Sequence, residues 1–205
     1  MHTEIELKLL IDRADIPLLR RHPLLNTACK SRPKRRKLHN IYFDTPNFDL
    51  TGKAIALRLR RVKSRWIQTV KGGGSVQAGL HQRQEWEAQV TAGKLDFDKL
   101  ADSPWQDLFT PDLRSRLVPL FDTDFWRTTW LLEVPGGVVE LALDVGEIKA
   151  NAKQAPICEV ELELKSGDPE ALFHVARILQ EGIPLYPEDR SKADRGYALY
   201  RENAT

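Results

Sequence analysis

The sequence predicts a mainly β domain of the α+β class, an eight-stranded antiparallel sheet closed into a barrel, or tunnel, with flanking helices. Apolar and charged residues alternate with a period of two in about eight separate segments, as they do in β-strands. Turn-forming residues separate several of these segments. The polar positions carry acids and bases together, an arrangement that favours a lumen over a solvent-exposed sheet face.

The alternation is clearest at Glu4–Leu9 and at Cys158–Lys165, where charged and apolar residues follow one another without interruption. Residues two apart in a strand share a face, so each segment presents a row of charged side chains. The predicted strands are Glu4–Leu9, Lys37–Asp44, Ala56–Arg60, Trp66–Lys71, His81–Glu87, Phe125–Val134, Glu140–Asp144 and Cys158–Lys165.

The connections between the strands carry the turn and helix signals. Pro135–Gly137 predicts a tight hairpin, and Gly72–Ser75 predicts a flexible hairpin after the fourth strand. Gly72–Ser75 is not a phosphate-binding P-loop, because no Lys-Ser or Lys-Thr pair follows it. Helices are predicted at Asp12–Arg21, Asp98–Ala101, Pro111–Leu117, Asp168–Glu181 (with Asp168 as its cap) and Ser191–Tyr200.

Composition indicates a globular protein without a membrane span. The chain has 205 residues and 31 Lys+Arg against 29 Asp+Glu, so its net charge of +2 points to no class of partner. No apolar run of about 18 residues and no signal-peptide core are present, and we expect a cytoplasmic protein. Cys29 and Cys158 follow no metal or disulfide spacing, which agrees with a reducing compartment. Residues 1–205 are predicted to form a single domain.

The row of acids in the last predicted strand suggests a metal site. Glu159, Glu161 and Glu163 would repel one another on a solvated face without any gain. Inside a lumen, carboxylates can ligate Mg²⁺ or Mn²⁺, and Arg and Lys side chains can pair with phosphate oxygens. The residues therefore predict a cavity that binds a polyanion together with divalent cations.

Other charged positions allow a functional and a structural interpretation. Glu4–Lys8 would supply two oxygen ligands beside an ammonium group, although the same pattern is common on exposed sheets. Arg58, Arg60 and Lys71 would bind phosphate, or would decorate a sheet edge with charge that deters aggregation. Lys192 and Arg195 either form a charged helix start or reach over one end of the lumen to hold phosphates.

The run Lys30–Lys37 contains six basic residues in eight. Nucleic-acid binding is one interpretation, but no aromatic residue interrupts the run and the whole chain is not strongly basic. A solvated approach to the second strand that steers anions toward the lumen is favoured. We expect neither a nucleic-acid nor a membrane partner.

Several motifs resemble those of the CYTH superfamily, the triphosphate tunnel metalloenzymes. Glu4–Lys8 matches the ExExK signature, which is a weak pattern alone but specific in combination with the segments that follow. The resemblance continues through Tyr42–Pro46, Leu57–Arg60, Thr69–Lys71 and the glutamates of the eighth strand. The segments most similar to bacterial inorganic triphosphatases are His81–Glu85, Leu120–Arg127, Ile157–Leu164 and Ser191–Tyr197.

This resemblance implies a tunnel that binds a triphosphate lengthwise with one or two divalent cations, Mg²⁺ or Mn²⁺. The implied metal ligands are Glu4, Glu6, Glu159 and Glu161, with Asp144 as a further candidate. The implied substrate-binding residues are Arg58, Arg60, Lys71, Arg127 and Lys192, together with Arg195 and either Glu85 or Glu87. Lys8 would lie beside the reacting end, so the predicted catalytic residues are Lys8, Glu6 and Glu161.

Two features depart from the family pattern. Many bacterial relatives continue into a helical CHAD domain, which this sequence lacks, so it represents a stand-alone version or a piece of a longer chain. His39 stands where some relatives carry a phosphate-binding arginine.

The expected function is metal-dependent hydrolysis of inorganic triphosphate to pyrophosphate and phosphate. The alternatives are a nucleoside or thiamine triphosphatase, a class IV adenylyl cyclase, and a non-catalytic binder of polyphosphate or nucleotides. The sequence leaves the oligomeric state open between monomer and homodimer.

Overall fold

A computed structural model describes residues 2–29 and 31–202. Its strands are β1 (His2–Ile11), β2 (Lys34–Asp44), β3 (Ile55–Val62), β4 (Arg65–Gln77), β5 (Leu80–Val90), β6 (Val118–Val134), β7 (Gly137–Ala150), β8 (Lys153–Gly167) and β9 (Leu185–Pro187). Its α-helices are α1 (Ile16–Arg21), α2 (Pro23–Thr27), α3 (Pro111–Arg116), α4 (Glu170–Gln180) and α5 (Lys192–Arg201). None of these helices is long and apolar enough to cross a bilayer.

The antiparallel sheet closes into a barrel of eight strands, as the alternating pattern predicts. The strand order is β5-β4-β3-β2-β6-β7-β8-β1, and β5 also pairs with β1, which joins the two ends of the sheet. The short strand β9 pairs with Leu9–Ile11 at the end of β1. No alternating pattern predicts β9, because three residues are too few to show a period of two.

One part of the hydrophobic core lies outside the barrel wall, between the strands and α4. Leu141 and Leu143 of β7 pack with Leu162 of β8 in a buried cluster that includes one face of α4. A second cluster lies beneath α5 around Phe121 and Phe125, which have the inward parity of Arg127 on β6, so it fills the end of the barrel that α5 covers. Away from α5, most inward-facing positions of the strands are polar, because successive side chains in a strand face opposite sides.

The predicted hairpin at Gly72–Ser75 is wrong. This segment lies inside β4, and the register against β5 shifts between Gly72 and Ser75, which marks a bulge. The backbone at Gly74 has a φ of 93°, and a Cβ there would lie 1.8 Å from the carbonyl oxygen of Gln82. The glycines therefore allow a close approach between two strands, and the chain turns later, at Ala78 and Gly79.

The remaining connections follow the predicted pattern with small differences. The tight turn between β6 and β7 is present at Pro135 and Gly136. Asp168 accepts a hydrogen bond from the Glu170 N–H at 2.8 Å, but the residue at the cap position of α4 is Pro169, one residue later than predicted. The predicted first helix begins instead as a 3₁₀ turn at Arg13–Asp15 before α1.

We expect Leu141→Ala to lower the free energy of unfolding by about 2–5 kcal/mol, because it leaves a cavity in the core outside the barrel. Leu141 is completely buried, whereas Leu131 on the neighbouring strand β6 is 45% exposed. Urea unfolding of both alanine variants tests the assignment, with Leu131→Ala as the matched control. Equal losses in the two variants would contradict the position of the core.

Candidate functional site

A polar cavity of about 370 Å³ occupies the interior of the barrel and is lined by all eight barrel strands and the start of α5. Ten basic and seven acidic side chains belong to the described residues that line it. The predicted site residues among them are Glu4, Glu6, Lys8, Arg58, Arg60, Lys71, Glu85, Glu87, Arg127, Glu161 and Lys192. The period-two alternation therefore does produce a lumen in which acids and bases face one another.

Three buried carboxylates meet at one side of this cavity. Each of Asp144, Glu159 and Glu161 offers a carboxylate oxygen, and these three oxygens lie within 4.8 Å of one another. Among the described residues, no other three Asp, Glu, His or Cys side chains bring their ligand atoms this close together. Asp144 and Glu159 are opposite one another in the register of β7 and β8. We refer to Asp144, Glu159 and Glu161 as the carboxylate cluster.

Two bases hold the carboxylate cluster together against the repulsion of its like charges. Lys192 donates to Glu159 at 2.5 Å and to Glu161 at 2.9 Å, and its Nζ lies 2.6 Å from Asp144 Oδ2. Arg127 donates from Nε and from one terminal nitrogen to the two oxygens of Asp144, at 2.7 and 2.6 Å. Arg127 also contacts Glu161. Such paired, hydrogen-bonded charges are the form in which carboxylates tolerate burial.

Lys8 lies beside the cluster and has almost no exposure to solvent. Its Nζ is 3.2 Å from Glu161, 3.4 Å from Glu6 and 3.8 Å from Glu159. Burial opposes its charge, but these carboxylates outweigh burial and raise the pKa of the Lys8 ammonium above its usual value. Burial likewise opposes the charge of Glu161, but Lys192, Arg127 and Lys8 hold the pKa of that carboxyl well below its usual range.

A second group of ion pairs crosses the cavity between β1, β3, β4 and β5. Lys71 Nζ lies 2.5 Å from Glu4 and 3.2 Å from Glu85. Arg58 lies 3.5 Å from Glu85 and 3.6 Å from Glu87, so both glutamates of β5 face the same guanidinium. Glu4 is therefore engaged with Lys71 and lies outside the carboxylate cluster, as does Glu6, which pairs with Lys8.

Three guanidinium groups, those of Arg58 and Arg60 on β3 and of Arg127 on β6, form what we call the guanidinium wall. Arg60 donates to Asn40 Oδ1 at 2.8 Å, and burial together with the nearby Arg58 and Arg127 lowers the pKa of Arg60 to about 10. The buried Nε of Arg58 has no hydrogen-bond partner in the described structure. The guanidinium groups of Arg58, Arg60 and Arg127 therefore lie near one another, and the Nε–H of Arg58 is free to donate a hydrogen bond. Such a surface is suited to binding a polyanion.

Three of the predicted site residues do not line the cavity. Asp144 and Glu159 are fully buried behind Lys192 and form the back of the carboxylate cluster. Arg195 donates to Glu159 at 2.8 Å and to the Pro156 carbonyl, which places it behind the cluster and away from the lumen. His39 is also absent from the lining.

Several lining residues were missed as site candidates, among them Lys34, Arg36, Arg83, Glu140 and Lys165. Arg83, Glu140 and Lys165 have the same parity as the predicted site residues Glu85, Asp144 and Glu161 on their own strands, and that parity was the available signal. Lys34 and Arg36 precede the second predicted strand, Lys37–Asp44, so no parity marks them as lumen residues.

Comparison with known proteins gives a consistent family assignment. The model of the CYTH domain matches residues 2–197. The inorganic triphosphatase of Haemophilus influenzae is 35% identical over 164 residues, which are 79% of this chain and 46% of that protein. The chain thus spans about half the length of this curated relative.

Solved structures share the fold at lower sequence identity. A Hippeastrum protein superposes with a TM-score of 0.67 at 23% identity, and the match covers 98% of this chain and 96% of the Hippeastrum chain. That protein is an adenylyl cyclase candidate described as having a dominant triphosphatase activity. A Bacillus halodurans protein described as an adenylate cyclase candidate gives 0.59 at 22% identity, covering 95% and 98%. Because the family model covers nearly the whole chain, the protein belongs to the CYTH domain family.

Proposed function

We propose that this domain hydrolyses inorganic triphosphate to pyrophosphate and phosphate in the presence of Mg²⁺ or Mn²⁺. The supporting observation is a single lumen in which a cluster of buried carboxylates adjoins a wall of guanidinium groups. The similarity to an inorganic triphosphatase of Haemophilus influenzae agrees with this chemistry. The cytoplasmic location expected from the sequence stays a prediction.

We propose the carboxylate cluster as the site of the divalent cation, which would replace the Lys192 ammonium that lies 2.5–2.9 Å from all three carboxylates. Carboxylate oxygens are the ligands that Mg²⁺ and Mn²⁺ prefer, and three of them lie within 4.8 Å of one another here. A bound cation would withdraw negative charge from phosphate oxygens. Glu4 and Glu6 stay predicted ligands, since they line the same cavity but pair with Lys71 and Lys8.

The basic side chains would bind and orient the substrate. Arg58, Arg60 and Arg127 would donate to phosphate oxygens, and Arg127 is already fixed in orientation by its two bonds to Asp144. Lys71 and Lys192 would add single charges at either side of this wall. In phosphoryl transfer, most of the catalysis comes from positioning the phosphate substrate and neutralising its charge.

Lys8 would act as a fixed cation at the reacting end. Its raised pKa keeps the ammonium charged at neutral pH, so it serves as a hydrogen-bond donor and not as a general base. Held by Glu6 and Glu161, it would stabilise negative charge that develops on an oxygen of the breaking P–O–P bridge as water attacks the terminal phosphorus.

The lining favours an inorganic substrate over a nucleotide. Tyr42 is the one aromatic side chain among the described residues of the cavity, and its ring is stacked on Phe121 with centroids 4.6 Å apart. Tyr42 is also buried, with only 3% of its surface exposed. Its ring is therefore engaged, and a purine would find no free aromatic surface to stack on.

We expect wild-type protein to release phosphate and pyrophosphate from triphosphate at least about tenfold faster than it releases phosphate from ATP, a difference of about 1.4 kcal/mol in activation free energy. The measurement is product chromatography after incubation with triphosphate, ATP or thiamine triphosphate, each with Mg²⁺, Mn²⁺ or Ca²⁺. A chelator should abolish turnover. Cyclic AMP as the main product from ATP would show a cyclase, and tight triphosphate binding without turnover would show a binding protein.

A further inference from the structure

We propose that Lys34 and Arg36 form a subsite for additional phosphates of a linear polyphosphate chain at the open end of the tunnel. The proposal rests on the proposed function and extends it, because these residues line the same cavity toward its open end. The substrate class would then include linear chains longer than three phosphates.

The basic run of the sequence divides between the two faces of β2. Lys34 and Arg36 line the cavity. The alternate residues have partners on the outer surface: the Arg35 guanidinium lies 4.2 Å from the centre of the Trp126 ring, and Lys37 lies 3.2 Å from Asp124. The expectation that the whole run is a solvated approach to the second strand is therefore incomplete. Lys30, its first member, lies outside the described residues.

The register of β2 and β6 places the inward pair in line with the guanidinium wall. Arg36 is directly opposite Arg127, and Lys34 is opposite Thr129. Two residues of an antiparallel strand cover about 6.8 Å, so Lys34 extends the row of bases by about that distance. Lys34 and Arg36 are exposed, whereas Leu38, farther along β2, is buried, which indicates that the cavity opens to solvent at this end.

The charges at the open end are arranged differently from those in the interior. In the interior, Lys8, Lys71, Arg127 and Lys192 each pair with carboxylates. At the open end, Glu163 pairs with Lys165 at 2.6 Å, while Lys34 and Arg36 form no ion pair with any described residue. These two cations can therefore bind an anion without breaking an existing ion pair.

A subsite and a general steering field make different predictions. A steering field raises the association rate of every small polyanion to a similar extent. A subsite adds contacts only to a chain long enough to reach it. The dependence on chain length therefore separates the two explanations.

The experiment compares triphosphate with linear tetraphosphate in wild-type protein and two double variants. The test variant is Lys34→Gln with Arg36→Gln, and the matched control is Arg35→Gln with Lys37→Gln, which removes the same charge from the outer face of the same strand. Both kcat/KM with Mg²⁺ and the Kd from calorimetry in a chelating buffer are measured. We expect the ratio of kcat/KM for tetraphosphate to kcat/KM for triphosphate to fall about fivefold or more in the test variant. The control variant should keep the wild-type ratio.

The outcomes distinguish this proposal from the proposed function. The subsite is overturned if the test variant keeps the wild-type ratio of tetraphosphate to triphosphate kcat/KM, which includes an equal loss for both substrates. It is also overturned if the control variant loses as much of this ratio as the test variant. Wild-type protein that hydrolyses neither substrate overturns the proposed function, and the ratio of the two Kd values then decides the subsite independently.

Discussion

Replacing Glu161 by glutamine is expected to reduce metal-dependent hydrolysis of triphosphate by about 10²–10³-fold or more, the usual cost of removing one group that stabilises transition-state charge. Glu161 lies 2.9 Å from Lys192 and 3.2 Å from Lys8, and it also contacts Arg127. It also belongs to the carboxylate cluster and lines the cavity. Its charge therefore connects the proposed cation site to the bases that would bind phosphate.

The matched control for this variant is Glu147→Gln. Glu147 is on β7, is partly exposed and pairs with Lys149 at 2.6 Å, so its replacement removes the same charge from the protein surface. Phosphate release is measured over a range of Mg²⁺ and Mn²⁺ concentrations, and circular dichroism establishes that the variants are folded. Wild-type rates in folded Glu161→Gln protein would refute the assignment. We expect Glu6→Gln to lose activity as well, since Glu6 is one of the carboxylates that hold Lys8.

Gly196→Ala is expected to destabilise the protein by about 1–3 kcal/mol and to reduce activity at the same time. A Cβ on Gly196 would lie 2.0 Å from Cε2 of Phe121, so α5 would have to move away from the barrel. Lys192 is in the first turn of α5 and would move with it, away from the carboxylate cluster. At an unobstructed position in a helix, the same change would stabilise the protein by up to about 1 kcal/mol.

Gly52→Ala provides the comparison, because a Cβ on Gly52 would meet no atom within 4 Å. Thermal unfolding and phosphate release are measured for both variants. The close packing of α5 would be contradicted by a Gly196→Ala protein that is as stable and as active as Gly52→Ala.

The barrel and its polar lumen could be predicted because alternation is a local property. In Glu4–Leu9 and Cys158–Lys165 every second residue is charged, and the face that each side chain takes follows from the geometry of one strand. The presence of both signs of charge on that face then favoured a lumen. Neither inference required knowledge of which strands are neighbours.

The composition of the carboxylate cluster could not be predicted in the same way. Asp144 meets Glu159 because of the register between β7 and β8, and a shift of two residues would place a different pair together without changing any face. The bulge at Gly72–Ser75 was missed for a related reason. Consecutive glycines indicate an unusual backbone, but only the neighbouring strand determines whether that backbone turns or bulges.

The seam where β1 joins β8 and β5 has a consequence for how the protein folds. In this seam Lys8 is paired with Glu161, and Glu6 is paired with Glu163, although β1 and β8 are far apart in the chain. Contacts of such long sequence separation form late, because a long loop must close before they stabilise anything. Lys8 and the carboxylate cluster are therefore brought together only when the barrel closes, and partly folded chains with an open seam would lack the proposed catalytic centre. Activity should consequently return only with the closure of the barrel, and not before it.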